Sequence, residues 1–454
     1  MNTHLLKPRG TDGKILILTV FVALAIGLVL MSVLSLVNSQ NQVVARSQSW
    51  NQCIPVLEAG VEEALAHLNN KKETSLAVND WKQNGEVYSL YRPLGPDSFF
   101  LVNLIMTNAR VPIIVCTGYV RLAAIVASVP HDPLLAAAGV NVGGNQYVAR
   151  TVRVIAAQQQ IFAKAMVARD KIDMNGNNIS TDSYDGSNPL YSTPNGTYDP
   201  AKARDHGDVA TSSGLQNAIN VGNANIKGRL RTAPGGTASV GANGSVGDMA
   251  WVNAGTRGVK KGWFSDDMNV YFDPPQRPSA SGSLGLPSGG SVGTTNYTYL
   301  LNSGLYVMPL LDCGKGGKVG VIGNARLIVD GPVNITGGLD ILPGASLTVW
   351  ASGPSIDIGG SGVNNTRRST NFILYGLSTV TTVSLPNNGD FNGALYCPTA
   401  SMQLNGGGSA DVNFCGACVM GSIKMNGHYK FHYDENLGAW GPPDRFVIIS
   451  WVEL

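Results

Sequence analysis

The sequence is poor in charge: Asp, Glu, Lys and Arg make up 14% of it, against about 25% in an average soluble protein. With 32 basic and 30 acidic residues the formal net charge is only +2. That balance leaves no electrostatic footprint for DNA or RNA, so no nucleic-acid partner is expected. Signature motifs of common enzymes are missing as well: there is no Walker A loop, no HExxH and no well-placed GxGxxG. Gly289-Gly-Ser-Val-Gly293 matches GxSxG by letter, but it lies in a Gly/Ser stretch without a strand–helix setting. Cysteine is scarce, with six residues at 53, 116, 313, 397, 415 and 418. An even count permits three disulfides in an exported chain, although a chain this long does not depend on them. Cys415-Gly-Ala-Cys418 has no second CxxC and no βαβ surround, so zinc or redox chemistry is not expected there. A disulfide or core packing is the expected fate of Cys397, Cys415 and Cys418.

Glycine and apolar residues are abundant. There are 55 glycines, and 44% of the residues are apolar, enough to build a core and exclude a disordered chain. At 454 residues the chain outgrows a single core, so two or more domains are expected.

The run Ile15–Val37 holds 23 residues and no charge. At about 1.5 Å per residue it reaches roughly 35 Å, enough to cross a bilayer with some tilt. Lys7, Arg9 and Lys14 precede it, against Asp12 alone, which places the N-terminus in the cytoplasm and the remainder outside. A cleaved secretory signal ending at Val43-Val44-Ala45 is the competing reading, but the run exceeds a usual signal core. Val43, Ser47, Trp50, Ile54, Leu57, Val61, Leu65 and Leu68 follow at helical spacing. The helix is therefore expected to continue to about Leu68, bent by Pro55.

Beyond it, 87–91, 98–106, 111–120 and 147–156 are short β-prone runs broken by Gly and Pro. An antiparallel sheet packed on the second half of the helix is expected. Past Gln158 a template recurs: Lys171–Gly176, Ser401–Gly406, Ser422–Gly427 and, more loosely, Ser355–Gly360. Each alternates apolar and polar positions and ends in a turn signal, and two copies lie about 21 residues apart, a solenoid period. A parallel β-helix meets these demands, with an antiparallel sandwich as the alternative.

The expected organisation is a basic leader (1–14), a transmembrane helix (15–37), an extracytoplasmic amphipathic helix (38–72) and a β-sheet head (73–157). A Gly-rich β-solenoid (158–440) with insertions near 182–207 and 252–296 follows, then a cap (441–454). The fold class is thus α+β followed by all-β.

The basic leader ending in Gly10 or Gly13, the run Ile15–Val37 and the stretch Ala45–Asn70 together resemble type IV pilins, more narrowly PilX-type minor pilins. The resemblance implies leader cleavage after Gly10 or Gly13, filament partners bound through the N-terminal helix, and a place in the cell envelope or in a pilus. Such pilins carry Glu at the fifth mature position, where this chain has Ile15 or Leu18. The region from Phe162 onward resembles a Gly-rich C-terminal domain found on some PilX-like proteins.

Carboxylate chemistry has three candidate places: Asp205-His206-Gly-Asp208, Asp266-Asp267 and His432-Tyr-Asp434-Glu435. Calcium, the one cofactor considered, would draw on Asp173, Asn175, Asn177 and Asp182, or on Asp205 and Asp208, although the spacing is not that of an EF-hand. No reaction is assigned. The expected partners are a lipid bilayer, pilin-like subunits and a surface glycan or protein. A tethered polysaccharide-binding or polysaccharide-degrading protein is the alternative function.

Overall fold

The computed structural model describes residues 12–70, 76, 78–108, 111–122, 147–158, 160–176, 178–387, 389–406, 410–439 and 446–454. Among these a long N-terminal apolar helix is followed by a mostly β region with a large parallel sheet. The chain divides into two compact units, Met1–Gln159 with Pro443–Leu454 and Gln160–Pro442.

The helix runs unbroken from Asp12 to Asn69. It passes through Pro55, whose missing N–H would have bonded the Asn51 carbonyl. Both residues are exposed, so water can satisfy that carbonyl. From Leu16 to Val37 the large apolar side chains are exposed: Phe21 is 67% and Leu28 62% accessible. Its length and hydropathy suffice to cross a membrane.

The second half of the helix packs against a six-stranded antiparallel sheet of Lys82–Asn84, Val87–Pro93, Ser98–Ile105, Ile113–Arg121, Tyr147–Gln158 and Phe446–Glu453, in that order. The buried helix face is Ser49, Cys53, Val56, Leu57, Gly60, Val61, Ala64 and Leu68. This corrects the face expected from large apolar residues alone. Trp50 is exposed and Ile54 and Leu65 only half-buried. The reason is close approach. A Cβ on Gly118 would stand 2.8 Å from the Cys53 carbonyl oxygen, and one on Gly60 2.5 Å from the Cys116 Sγ. Small residues therefore mark the closest points of the seam, among the buried Val56, Leu57, Val61 and Leu68.

The C-terminal strand is a second correction. Phe446–Glu453 does not cap the Gly-rich region; it pairs antiparallel with Tyr147–Gln158, with Phe446 opposite Gln158. Asn69 Oδ1 accepts from the Phe446 N–H at 2.5 Å and ties this strand to the helix end. Residues 160–442 thus interrupt a pair of neighbouring strands, as an inserted domain does.

Within the inserted unit, short parallel strands stack in register. One outward column reads Asp312, Asn334, Asp357, Ser384, Gln403, Lys424, Asp173, Asn220 and Ser239. The neighbouring inward column is Leu311, Val333, Ile356, Val383, Met402, Ile423, Ile172 and Ile219, all buried. All four template copies fall in these columns. The stack does not follow sequence order: the strand that carries Lys424 pairs with the one that carries Asp173. The chain therefore enters and leaves this unit through paired strands. Phe391, Phe414 and Phe431 form an inner aromatic stack with ring centroids 4.5 and 4.3 Å apart.

Asp182 belongs to the strand Ser180–Tyr184, so the first irregular excursion begins after Tyr184 rather than at Asp182. The second contains a short helix, Met249–Asn253, and a two-stranded hairpin, Gly290–Val292 with Thr295–Tyr297.

Candidate functional site

Two polar regions of the inserted unit collect the chemistry-bearing side chains. The first lies where strand Tyr429–Asp434 pairs in parallel with Ser180–Tyr184, placing His432 opposite Asp182. His432 Nδ1 is 2.6 Å from Asp182 Oδ1, and Nε2 is 3.1 Å from Asn413 Oδ1. The Tyr198 hydroxyl donates to Asp182 Oδ2 at 2.9 Å, and its ring stacks on His432 with centroids 3.6 Å apart. Burial and the Asp182 charge push the Tyr198 hydroxyl well above its ordinary value. Asn413 in turn donates to Asp390. Beside this network runs a groove of about 790 Å³ lined by Tyr198, Lys318, Asp340, Asn364, Asp390 and Asp411, among others. Its Asp340 accepts from Asn364, Lys318 and Tyr297. The groove's polar side chains are thus largely bonded to one another.

The second region is a pocket of about 400 Å³ lined by Asp205, His206, Asp208, Arg229, Arg231, Trp263 and Glu435, with Ala163 and Tyr433. Two of the three carboxylate places named from sequence meet in it. Glu435 accepts from Ser183 Oγ at 2.7 Å and Arg204 at 2.7 Å, and lies 2.9 Å from His206 Nδ1. Asp208 accepts the Arg229 N–H at 2.8 Å and lies 3.5 Å from Lys164 Nζ. Burial lowers the Lys164 ammonium below its ordinary value, partly offset by Asp208. Asp205 accepts the Met249 N–H. The third place contributes through Asp267, which holds Arg231 at 2.9 Å, while Asp266 accepts from Gly235.

Arg229 immediately precedes the short strand Leu230–Arg231, whose neighbours begin at Val209 and Phe264, so the two arginines flank the buried Leu230. Strand alternation sends both guanidinium groups to one side. The Arg229 guanidinium lies 5.2 Å over the Trp263 ring, a cation–π contact that holds it in place.

Asp434 stands apart behind these regions. Its Oδ1 accepts from the Gly186 and Asn436 N–H groups, and Ser369 stands close enough to favour its charged form. Burial pushes its carboxyl up to about 6.

The oxygen donors named for calcium do not converge. Asp173 bonds Asn220, Asp182 is taken by His432 and Tyr198, and Asp208 by Arg229 and Lys164. Asn175 sits near Gly222, and Asn177 lies outside the described residues. Among the described residues no three His, Cys, Asp or Glu side chains group as a metal site requires. Gly10 also lies outside the described residues, while Gly13 falls in the first turn of the long helix. Ser291 of the GxSxG match bonds Asn296 in the hairpin.

Cys397 and Cys418 are buried and Cys415 is half-buried. Register sets Cys397 opposite Met420 and Cys418 opposite Leu395, a diagonal pair about 8 Å apart at Cα, beyond disulfide reach. Cys415 and Cys418 are three residues apart on an extended strand, about 10 Å. Packing, not a disulfide, is the role this geometry gives them, and burial pushes the Cys397 thiol up to about 12.

Sequence reasoning missed Arg229, Arg231, Trp263, Tyr198 and Asn413. The pattern Arg-Leu-Arg on a short strand signals two cations on one face. Nothing in the sequence points to Trp263 or Tyr198, which arrive from irregular segments.

In sequence, residues 290–440 match a family described as a domain of unknown function (DUF7305). No curated protein matches the chain. Among solved structures, the competence-associated pilin ComZ from Thermus thermophilus is similar, at 11% identity and a TM-score of 0.27. The likeness covers 89% of this chain and 97% of that one. The fold described above rests on strand pairing, not on this likeness.

Proposed function

We propose that the chain is an exported, single-pass membrane-anchored subunit of the type IV pilin kind, close to the PilX-type minor pilins. Its inserted unit is a parallel β-helix that serves as a structural or adhesive head. The observation that carries the reading is the two-faced helix Asp12–Asn69, exposed and apolar from Leu16 to Val37 and then seated on an antiparallel sheet. An apolar surface of that length is costly in water and stable in a bilayer or among like helices. The β-helix reading draws on the in-register parallel columns, in which outward partners such as Asp312 and Asn334, or Asn405 and Asn426, bond at spacings of 22 and 21 residues.

The test is topology. Protease added to intact spheroplasts is expected to digest everything beyond about Val37 while the N-terminus stays protected; protection of the inserted unit would sink the reading. N-terminal sequencing then separates a processed subunit, starting at Thr11 or Lys14, from a plain anchor starting at Met1.

A second reading, a tethered polysaccharide-binding or polysaccharide-degrading β-helix, draws on the groove that carries Asp340, Asp390 and Asp411. Turnover of a polysaccharide that stops on Asp390→Asn would favour it.

A further inference from the structure

The pocket at Arg229 pairs its acids but not all of its cations. Glu435 is held by Arg204, Ser183 and His206, Asp208 by Lys164 and a backbone N–H, and Asp205 by the Met249 N–H. Arg231 is held by Asp267 through Nη1. Arg229 has no carboxylate partner among the described residues, and its guanidinium lines the pocket from its seat over Trp263. A guanidinium only donates hydrogen bonds and presents them in a planar fork. What remains unmatched is therefore a demand for a planar oxyanion. Beside it stand an indole wall and the carboxylates of Asp205 and Asp208, which can accept from hydroxyl groups. His206, 53% exposed at its side chain, is fixed through Nδ1 by Glu435, leaving Nε2 for a ligand. A volume of about 400 Å³ is in the range of small-ligand sites.

We propose that this pocket binds an acidic sugar, the carboxylate on Arg229, which Trp263 holds in place, and hydroxyls toward Asp205 and Asp208. This deepens the adhesive reading by naming a ligand class, and it rests on that reading only for the side of the membrane where the sugar is met. The pocket is separate from the groove that carries Asp340, Asp390 and Asp411.

The test is calorimetry or ligand-observed NMR on the detergent-solubilised full chain with a hexuronate, the matching neutral hexose and inorganic phosphate as probes. Expected is saturable binding of the hexuronate, weaker for both other probes by about tenfold, the scale of one charge-assisted hydrogen-bond pair. Arg229→Ala should weaken hexuronate binding by about tenfold or more. Arg229→Lys, which keeps the charge but loses the fork, should fall between the two. Arg229 is exposed, so an unchanged unfolding temperature in both variants checks the fold. Should Arg229→Ala unfold, the ordering of wild type and Arg229→Lys decides. Equal binding of hexose, phosphate binding as tight as hexuronate, no hexuronate binding, or full affinity in Arg229→Lys would each overturn the proposal. Because the protein is in detergent, these results do not depend on topology, and the spheroplast experiment fails or succeeds separately.

Discussion

Val152, Val154 and Ala156 of the antiparallel sheet bury against a helix, whereas Met402, Ile423 and Ile172 of the inserted unit bury against one another's neighbours in a stack. The first arrangement makes a core between two different layers, so it needs close-packing partners of unequal size, and Gly60, Gly118, Ser49 and Ala64 supply them. The second makes a core from repetition: each parallel strand offers the next the same apolar positions, and like side chains stack. A substitution in the stack is felt by two flanking strands, while one at the helix seam is felt by a single interface.

That difference is sharpest under buried charge. Leu404 and Met425 are fully buried and face each other in register, while Gln403 and Lys424 beside them are exposed. Leu404→Asp should cost about 3–5 kcal/mol, as an unpaired buried charge does, and Gln403→Asp less than about 0.5 kcal/mol. Thermal unfolding of the solubilised chain reads both; equal sensitivity at the two positions would erase the assigned inward column.

A somewhat smaller effect is expected at Asp434, which belongs to the stack. Its folded pKa, pushed up to about 6, lies above an ordinary aspartate near 4. The stability it contributes is full below about pH 4 and is lost as pH rises through about 6. Asp434→Asn keeps the acceptor that Gly186 and Asn436 use and removes the buried charge. The variant should gain up to about 3 kcal/mol at pH 8 and nothing at pH 4. Unfolding temperatures measured from pH 4 to 8 decide; parallel profiles for both proteins would refute the shift.

The helix seam gives the smallest effect. Gly118→Ala forces a Cβ to 2.8 Å from the Cys53 carbonyl oxygen, an overpacking cost of about 1–3 kcal/mol. Amide exchange should loosen in 87–121 and stay unchanged in the inserted unit. Loosening of both would show that the two cores are one cooperative block.

The long helix, the four strand runs of the antiparallel sheet and the repeat columns were legible in the sequence, because hydropathy length and two-residue alternation are local signals. The columns were legible in part: Ile172, Met402 and Ile423 sit in one template, and one template implies one face. The order of stacking was not, since nothing local says that the strand at Lys424 should pair with the strand at Asp173 as well as with its predecessor. The C-terminal strand was misread for the same reason. FVIISWVEL carries strand propensity but no mark of its partner, which lies about 300 residues earlier, with Glu453 opposite Val152 and ion-paired to Arg150. Of the candidate pocket, the acids were visible and their companions were not, because Arg229, Lys164 and Trp263 reach it from three non-strand segments far apart in the sequence.

The central claim is that the inserted unit begins and ends on neighbouring strands, Ile423 opposite Ile172 and Lys424 opposite Asp173. Spin labels attached to Lys424→Cys and Asp173→Cys in the solubilised full chain test it directly. In-register pairing puts the two backbones about 5 Å apart. The expected result is strong dipolar broadening in the double-labelled protein and none in either single one. A double-labelled spectrum equal to the sum of the singles would contradict the stacking order, and with it the account of residues 160–442 as a unit that the chain enters and leaves through paired strands.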